Sequence, residues 1–137
     1  MKNYFEKGFT LTEVIVAMGI FSIGVLGIFS FFTYSSQTIR VARSETTGSN
    51  LANGFLEEEL AKSYGELIPG TSAKTRVSDN PASPYYNYQK QIEITLIDSD
   101  LNNSVTDLGL KKIIISIFWP QGSYEKSIQS ATIKTQR

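Results

Sequence analysis

The sequence predicts an α+β protein in which one long amino-terminal helix packs on an antiparallel sheet of three or four strands. Residues 9–32 form an apolar run of 24 residues, and the proline-free stretch that follows keeps apolar residues at helical spacing. After residue 84 the pattern changes to the two-residue alternation of half-buried strands. A helix followed by a run of strands is typical of the α+β class.

The apolar run over residues 9–32 predicts a helix that crosses a membrane. A helix of this length spans about 36 Å, and the hydrocarbon core of a bilayer needs about 20 apolar residues. Its hydroxyl side chains can bond back to carbonyls of their own helix. Lys2 and Lys7 precede the run, so the amino terminus is expected in the cytoplasm and the rest beyond the membrane. The alternative is an ordinary secretory signal peptide, whose apolar run is about half as long and lacks a charge.

One acidic residue, Glu13, lies near the start of this apolar run. A lone carboxylate in a membrane segment is costly, so it usually has a partner and a function. The segment Thr10–Glu13 also matches the capping-box pattern, in which the acid bonds back to the start of its own helix. A local capping role and a role between chains are compatible, and both stay open at this point.

The helix is predicted to continue beyond the membrane, from Thr33 to about Tyr64. One face carries an apolar stripe, and acidic residues are expected to cover the opposite side. The stripe consists of Leu51, Phe55, Leu56, Leu60 and Tyr64, and the acidic residues are Glu57, Glu58 and Glu59. We expect this stripe to be core, packed on the sheet.

Two glycines and several β-branched or small residues weaken the middle of this predicted helix. Gly48 and Gly54 each disfavour a helix by about 1 kcal/mol relative to alanine. We therefore expect a bend or local looseness over residues 44–50. Pro69 and Gly70 end the helical region, and a loop is predicted up to residue 84, with a short strand near 75–77.

Three strands are predicted in the second half of the chain. The first starts at Tyr85 and places alternate residues on one face, namely Tyr86, Tyr88, Ile92, Ile94 and Leu96. The second, Leu110–Trp119, is apolar on both faces, so we expect it at the centre of the sheet. A tight turn is predicted at Pro120–Gly122. The third strand, Tyr124–Lys134, is richer in Ser and Thr and is expected to be more exposed.

The amino-terminal residues resemble the processing and assembly motif of type IV pilins and related pseudopilins. The matching residues are Lys7-Gly8-Phe9-Thr10-Leu11-Thr12-Glu13, followed by Val14-Ile15-Val16-Ala17-Met18. The resemblance implies that a prepilin peptidase cuts after Gly8 and that the new terminal residue, Phe9, is N-methylated. It also implies that Glu13 helps assembly by facing the amino terminus of a neighbouring subunit.

The same resemblance divides the chain into three parts. Residues 1–8 are the leader peptide and residues 9–32 the transmembrane and filament-core helix. Residues 33–137 are an extracytoplasmic pilin-like domain that includes the second half of the helix. The implied location is the bacterial inner membrane, crossed once, and then a filament. The implied partners are the peptidase, other pilin or pseudopilin subunits, an inner-membrane assembly platform and membrane lipid.

Several features resemble minor pilins of the pilus-modification group and the corresponding minor pseudopilin of type II secretion. Ser30 stands where major pilins often have a proline, and the narrower match lies in Phe55–Ala61, Tyr64–Gly70 and the late hairpin. The family's carboxy-terminal disulfide loop has no counterpart, because the chain has no cysteine. The implied function is a minor subunit that helps initiate or modify assembly of a type IV pilus or a type II secretion pseudopilus.

Other classes of function find little support in the residues. The chain has no histidine or cysteine and no recognisable nucleophile–base pair, so we expect no enzyme and no cofactor. Oxygen ligands occur at Asp98, Asp100, Asn102 and Asp107. A calcium loop needs a glycine where Asn103 stands and a later glutamate, so a solvated turn is favoured.

DNA binding is also disfavoured by the charge of the predicted sheet region. Residues 70–137 contain eight basic and six acidic side chains, a net charge of 8 − 6 = +2, which is a weak electrostatic footprint. The alternative function is a competence-type pseudopilin or a displayed binding module that contacts DNA, a surface or a secreted substrate. The sequence does not distinguish between pilus, secretion and competence systems, because all three share the amino-terminal motif.

Overall fold

The computed structural model describes residues 8–136. Its elements are one long helix, a single 3₁₀ turn at Tyr64–Glu66 and five strands. They are α1 (Leu11–Ala61), β1 (Gly70–Thr71), β2 (Thr75–Arg76), β3 (Gln89–Leu96), β4 (Leu110–Gln121) and β5 (Tyr124–Thr135). The predicted α+β class is confirmed, with five strands instead of three or four because two short strands pair with β3. Most of the predicted leader, residues 1–7, and the terminal Arg137 lie outside the described residues.

The chain divides into two compact units, one ending at Arg40 and the other beginning at Val41. The described part of the first unit is residues 8–40, which are the amino-terminal portion of α1 and the three residues before it; they contain the predicted membrane segment. Among the described residues, α1 is the one helix long and apolar enough to span a membrane, with a mean hydropathy of 2.4 over its most apolar window. None of that window is buried.

Hydroxyl side chains in the first unit bond back to their own helix, as predicted. The hydroxyl of Ser22 donates to the carbonyl of Met18 at 2.8 Å, and that of Ser30 donates to the carbonyl of Leu26 at 3.0 Å. These bonds satisfy polar groups that would otherwise be costly in a hydrocarbon environment. The segment therefore combines an apolar surface with polar atoms that already have partners.

In the second unit, residues 41–61 of α1 pack on one face of the sheet. The buried cluster is formed by Ala52, Leu67, Tyr88, Ile94, Ile113, Ile115, Ile117 and Trp119. Leu51, Phe55 and Leu56 pack against this cluster, so most of the predicted stripe is confirmed as core.

The sheet is antiparallel, with β4 between β3 and β5 and with both short strands on the outer edge of β3. Ile113, Ile115 and Ile117 are fully buried, which confirms the predicted central strand and its core face. The alternating exposed positions of β5 confirm the more exposed third strand, and β2 confirms the short strand predicted near residue 75.

Two strand boundaries differ from the prediction. β3 begins at Gln89 instead of Tyr85, because side-chain hydrogen bonds organise turns before it: the amide of Ala82 donates to Asn80, and that of Tyr85 donates to Ser83. The hairpin between β4 and β5 turns at residues 122–123, two residues later than predicted, because Gly122 supplies the φ of 66° that this turn requires. Pro120 instead lies in the ladder, opposite Glu125.

The end of α1 also differs from the prediction. The helix stops at Ala61 because Ser63 is extended and starts a capping box with Glu66, whose carboxylate accepts from the Ser63 amide at 2.7 Å. Glu59 was expected on the solvent side but is only 5% exposed, and it forms an ion pair with Lys62. Leu60 was expected in the core but is 36% exposed.

Gly48 has a packing role that the sequence pattern did not indicate. A Cβ atom at this position would lie 2.8 Å from Cζ3 of Trp119 and 3.3 Å from Cγ2 of Ile128. A bend or local looseness was expected over residues 44–50, and the helix is continuous there. The absence of a side chain therefore lets the tryptophan ring pack directly on the helix backbone.

Candidate functional site

The start of α1 is organised by a reciprocal pair of hydrogen bonds between Thr10 and Glu13. Oε2 of Glu13 accepts from the Thr10 amide and from the Thr10 hydroxyl, each at 2.9 Å, and the Glu13 amide donates to the Thr10 hydroxyl at 3.3 Å. This is the predicted capping box, and the acid also lies in the first turn of the helix, where negative charge is favoured. Both bonds to the carboxylate use Oε2.

Gly8 and Phe9 precede this cap and are exposed. Phe9 shows 88% of its surface, and a Cβ atom built at Gly8 would have no atom within 4 Å. The Gly8–Phe9 peptide bond is therefore open to approach from outside the chain. Both residues lie outside α1, so this peptide bond is not part of the helix.

Two shallow grooves run along the helix surface next to Glu13. One has a volume of about 420 Å³ and the other about 470 Å³, and Glu13 and Ala17 belong to both. The remaining apolar lining comes from Phe9, Val14, Met18 and Phe21 in the first groove and from Val16 and Ile20 in the second. The small side chain of Ala17, one turn after Glu13, leaves room on either side of the carboxylate.

The four candidate metal ligands do not form a metal-binding group. Oδ1 of Asp98 accepts from the amides of Asp100 and Asn102 at 2.9 Å each, which shapes the turn. Asp107 instead accepts from the hydroxyl of Tyr64 and from the amide of Gly109. Residues 8–136 contain no group of three or more side chains of the kinds that could hold a metal ion.

Asp107 belongs to a polar cluster at the carboxyl end of α1. Nζ of Lys111 lies 3.0 Å from the carbonyl of Tyr64, 4.0 Å from the centroid of its ring and 3.8 Å from Oδ2 of Asp107. Desolvation and the hydrogen bond to Asp107 raise the pKa of Tyr64 to about 12. The same hydrogen bond, with that from the Gly109 amide, lowers the pKa of Asp107.

A second lysine completes the end of the helix. Nζ of Lys134 donates to the carbonyl of Leu60 at 2.6 Å and also to the carbonyl of Lys62. The last turn of α1 itself contains no basic residue, so Lys134 from β5 supplies a donor for the Leu60 carbonyl, one of those that a helix end leaves unpaired. Lys111 from β4 supplies a donor for the Tyr64 carbonyl in the 3₁₀ turn that follows. A signal was present in the sequence, because Lys111 has the same strand alternation as Ile113 and is therefore on the core face.

The amino-terminal segment matches a family model described as the prokaryotic N-terminal methylation motif, at residues 5–29. Neither the curated proteins nor the solved structures give a match to this chain. The matched segment contains Gly8, Phe9 and Glu13, the residues to which the resemblance assigns processing and assembly roles. Together with the long apolar helix and the antiparallel sheet, this match over the amino-terminal segment supports the resemblance to type IV pilin-like proteins.

Proposed function

We propose that this chain is a type IV pilin-like protein, and more narrowly a minor pilin or pseudopilin, a structural subunit that helps initiate or modify assembly of a type IV pilus or a type II secretion pseudopilus. The methylation motif at residues 5–29 carries the proposal. The family that bears this motif is structural, and we assign the chain no catalytic role. Residues 1–8 would be removed as a leader, residues 9–32 would form the membrane and filament-core segment, and residues 33–137 would be displayed beyond the inner membrane.

The first step of the proposed mechanism is cleavage between Gly8 and Phe9. Exposure of Phe9 and the open space around Gly8 support access by a prepilin peptidase. Cleavage leaves a new amine on Phe9, the residue that would then be methylated. This amine would lie at the membrane boundary, one helical turn before Glu13.

The second step is pairing between Glu13 and the amine of a neighbouring subunit. Thr10 holds Oε2 of the carboxylate through two hydrogen bonds, so the side chain is ordered before any partner arrives. We assign Oε1 to the neighbour's amine. Opposite charges that meet in a low-dielectric environment offset part of each other's desolvation cost, and a fixed pair sets the axial offset between two helices.

The third step is sideways packing of the apolar helices. The membrane-spanning window of α1 is entirely unburied within the chain, so it has apolar surface to offer both lipid and neighbouring helices. The grooves on either side of Ala17 are the places where side chains of an adjacent helix would lie closest to Glu13. Helix association without water relies on such close packing.

The test compares Glu13→Ala with Thr10→Ala in the native filament system. We expect Glu13→Ala to leave amino-terminal processing and membrane insertion intact and to block incorporation into filaments. Thr10→Ala removes the hydroxyl, which donates to Oε2 and accepts from the Glu13 amide, but it keeps the bond from the backbone amide and the carboxylate itself, so it should still be incorporated. Normal incorporation of Glu13→Ala would refute the pairing. If Thr10→Ala is incorporated as poorly as Glu13→Ala, the role of Glu13 is to cap the helix and not to pair with a neighbour.

Processing itself is tested by mass spectrometry of the amino terminus of protein recovered from its own membrane. A chain that starts at Phe9 with one added methyl group is the expected result. An intact Met1 start would leave only an anchored domain, and a start beyond Phe32 would indicate an ordinary secreted protein. Either an intact Met1 start or a start beyond Phe32 would refute the proposal that the chain joins a filament.

A second candidate is a displayed binding module, including the competence-type variant that contacts DNA, a surface or a secreted substrate. The observation in its favour is a cleft in the sheet-containing unit. Salt-dependent retention of the 36–137 fragment on DNA would support the DNA version, and no retention at low salt would remove it.

A further inference from the structure

A cleft of about 340 Å³ opens on the sheet beside the β4–β5 hairpin. Phe118 lines it and lies opposite Gln89, which in turn lies opposite Arg76. Cross-strand partners share one face of a sheet, and Phe118 alternates along β4 with the buried Ile117 and Trp119. The cleft therefore lies on the face of the sheet opposite to the core.

Two cations rest on aromatic rings at this cleft. Nζ of Lys74 lies 3.6 Å from the centroid of the Phe118 ring and 2.7 Å from Oε2 of Glu125. The guanidinium of Arg76 lies 4.5 Å from the centroid of the Tyr86 ring. Both distances are in the range of cation–π attraction. The lining thus holds charged groups of both signs in defined positions and carries no strong excess of either.

Fixed turns present the tyrosines of the cleft. The amide of Tyr86 donates to the carbonyl of Ser83 at 3.1 Å, which closes the turn before β3. The left-handed backbone of Gly122 lets the β4–β5 hairpin close in two residues, and Tyr124 follows it with 57% of its surface exposed. Ring faces held by turns provide contact area with little loss of side-chain entropy.

The chemistry of the lining favours a ligand that is apolar on its faces and polar at its edges. Besides the rings of Tyr86 and Tyr124, the lining offers the planar polar groups of Arg76, Asn87, Gln89 and Glu125. A purely apolar ligand would leave these groups desolvated without partners. Hydroxyl groups both donate and accept, so they suit amides, a guanidinium and a carboxylate together.

We propose that this cleft is a carbohydrate-binding site that accepts one or two neutral sugar rings. The C–H faces of a sugar ring would lie on the tyrosines, and its hydroxyls would bond to the planar side chains. A volume of about 340 Å³ is at the small end of the range of ~300–1,000 Å³ for small-molecule sites. The inference does not depend on filament assembly, because the cleft lies within a single chain.

The experiment uses the full-length chain in micelles of a phosphocholine detergent, since maltoside or glucoside detergents would compete for the site. The protein is applied to an array of neutral and acidic oligosaccharides together with a proline-rich peptide. A retained neutral disaccharide is then titrated by isothermal titration calorimetry, which measures occupancy without a fluorescent reporter.

We expect saturable binding of neutral saccharides that Tyr86→Ala weakens about tenfold through loss of a ring face. Tyr85→Ala is the matched control, because Tyr85 is the neighbouring tyrosine, is 42% exposed and does not line the cleft. Tyr124→Ala provides a second variant at an exposed position, so a folding defect in Tyr86→Ala would not remove the test.

Three outcomes would overturn the proposal. The first is retention of no saccharide on the array. The second is that the Tyr86→Ala and Tyr124→Ala variants bind the saccharide as strongly as the Tyr85→Ala variant, while circular dichroism shows that all three variants are folded. The third is retention of only acidic glycans or only the proline-rich peptide, which would assign the cleft to a different class of ligand.

Discussion

Replacement of Gly48 by alanine tests the packing of the helix on the sheet. The new Cβ atom would lie 2.8 Å from Cζ3 of Trp119, closer than carbon atoms pack, and 3.3 Å from Cγ2 of Ile128. Trp119 is 4% exposed and its ring lies 5.8 Å from that of Tyr88, so it has little room to move. Overpacking of this kind costs ~1–3 kcal/mol, while the change from glycine to alanine in a helix contributes ~1 kcal/mol.

Gly54→Ala is the matched control for this substitution. Gly54 lies in the same helix, and a Cβ atom there would have no atom within 4 Å. It should therefore show only the gain in helix propensity, ~1 kcal/mol, which raises the melting temperature of a domain of this size by ~4–8 °C. The free energy of unfolding of Gly48→Ala should be lower than that of Gly54→Ala by ~1–3 kcal/mol, because both variants gain helix propensity and only Gly48→Ala has the steric clash.

The measurement is thermal unfolding of the 36–137 fragment, which contains every residue of the buried cluster. Circular dichroism follows the helix and sheet, and the fluorescence of Trp119 follows the core. If Gly48→Ala raises the melting temperature as much as Gly54→Ala does, the close approach of the tryptophan ring to the helix is wrong. A double substitution with Trp119→Leu should abolish most of the difference, because it removes the ring that causes the clash.

Two further predictions concern the polar cluster at the end of the helix. The raised pKa of Tyr64, about 12, means that its contribution to stability is present below its unfolded pKa of about 10 and is lost as the pH rises towards 12. Ultraviolet titration should show one late-ionising tyrosine that Tyr64→Phe removes, and a set of tyrosines that all titrate near their ordinary pKa would contradict this. Lys111→Met should lower the free energy of unfolding by ~1–3 kcal/mol, because the carbonyl of Tyr64 loses its buried donor. Lys112→Met, on the opposite face of β4, is its control in urea unfolding, and equal effects would argue against the role of Lys111.

Local patterns in the sequence predicted most of the fold. The alternation of Ile113, Ile115 and Ile117 indicated both the strand and its core face, because burial of a central strand depends on its own residues. The capping box at Thr10 and Glu13 is likewise local, since both partners lie within one helical turn. The methylation motif is a continuous segment, so the residues expected at the processing site could be selected without knowledge of the fold.

The features that the sequence did not reveal depend on residues far apart in the chain. The core face of the helix is centred on Gly48 and Ala52, small residues that a hydrophobic pattern ignores, and this shift brings Glu59 inward and Leu60 outward. Whether a glycine only weakens the helix or also allows close packing depends on which side chain of the sheet lies against it. The cleft likewise unites residues from β2, β3, the turn before β3 and the β4–β5 hairpin.

The contacts that hold the helix on the sheet join parts of the chain that are synthesised at very different times. Lys126 bonds to Glu45 across 81 positions, Ser130 to Asn53 across 77, and Lys134 to Leu60 across 74. Such a high contact order slows folding, because the loop-closure entropy is lost before the contacts form. The second half of the helix must therefore wait, with its apolar face uncovered, until the carboxy-terminal hairpin has been made. A nascent chain truncated before β4 would expose this face, because β4 supplies Ile113, Ile115, Ile117 and Trp119 of the buried cluster. The interval before the carboxy-terminal hairpin emerges is therefore the period of greatest risk of aggregation.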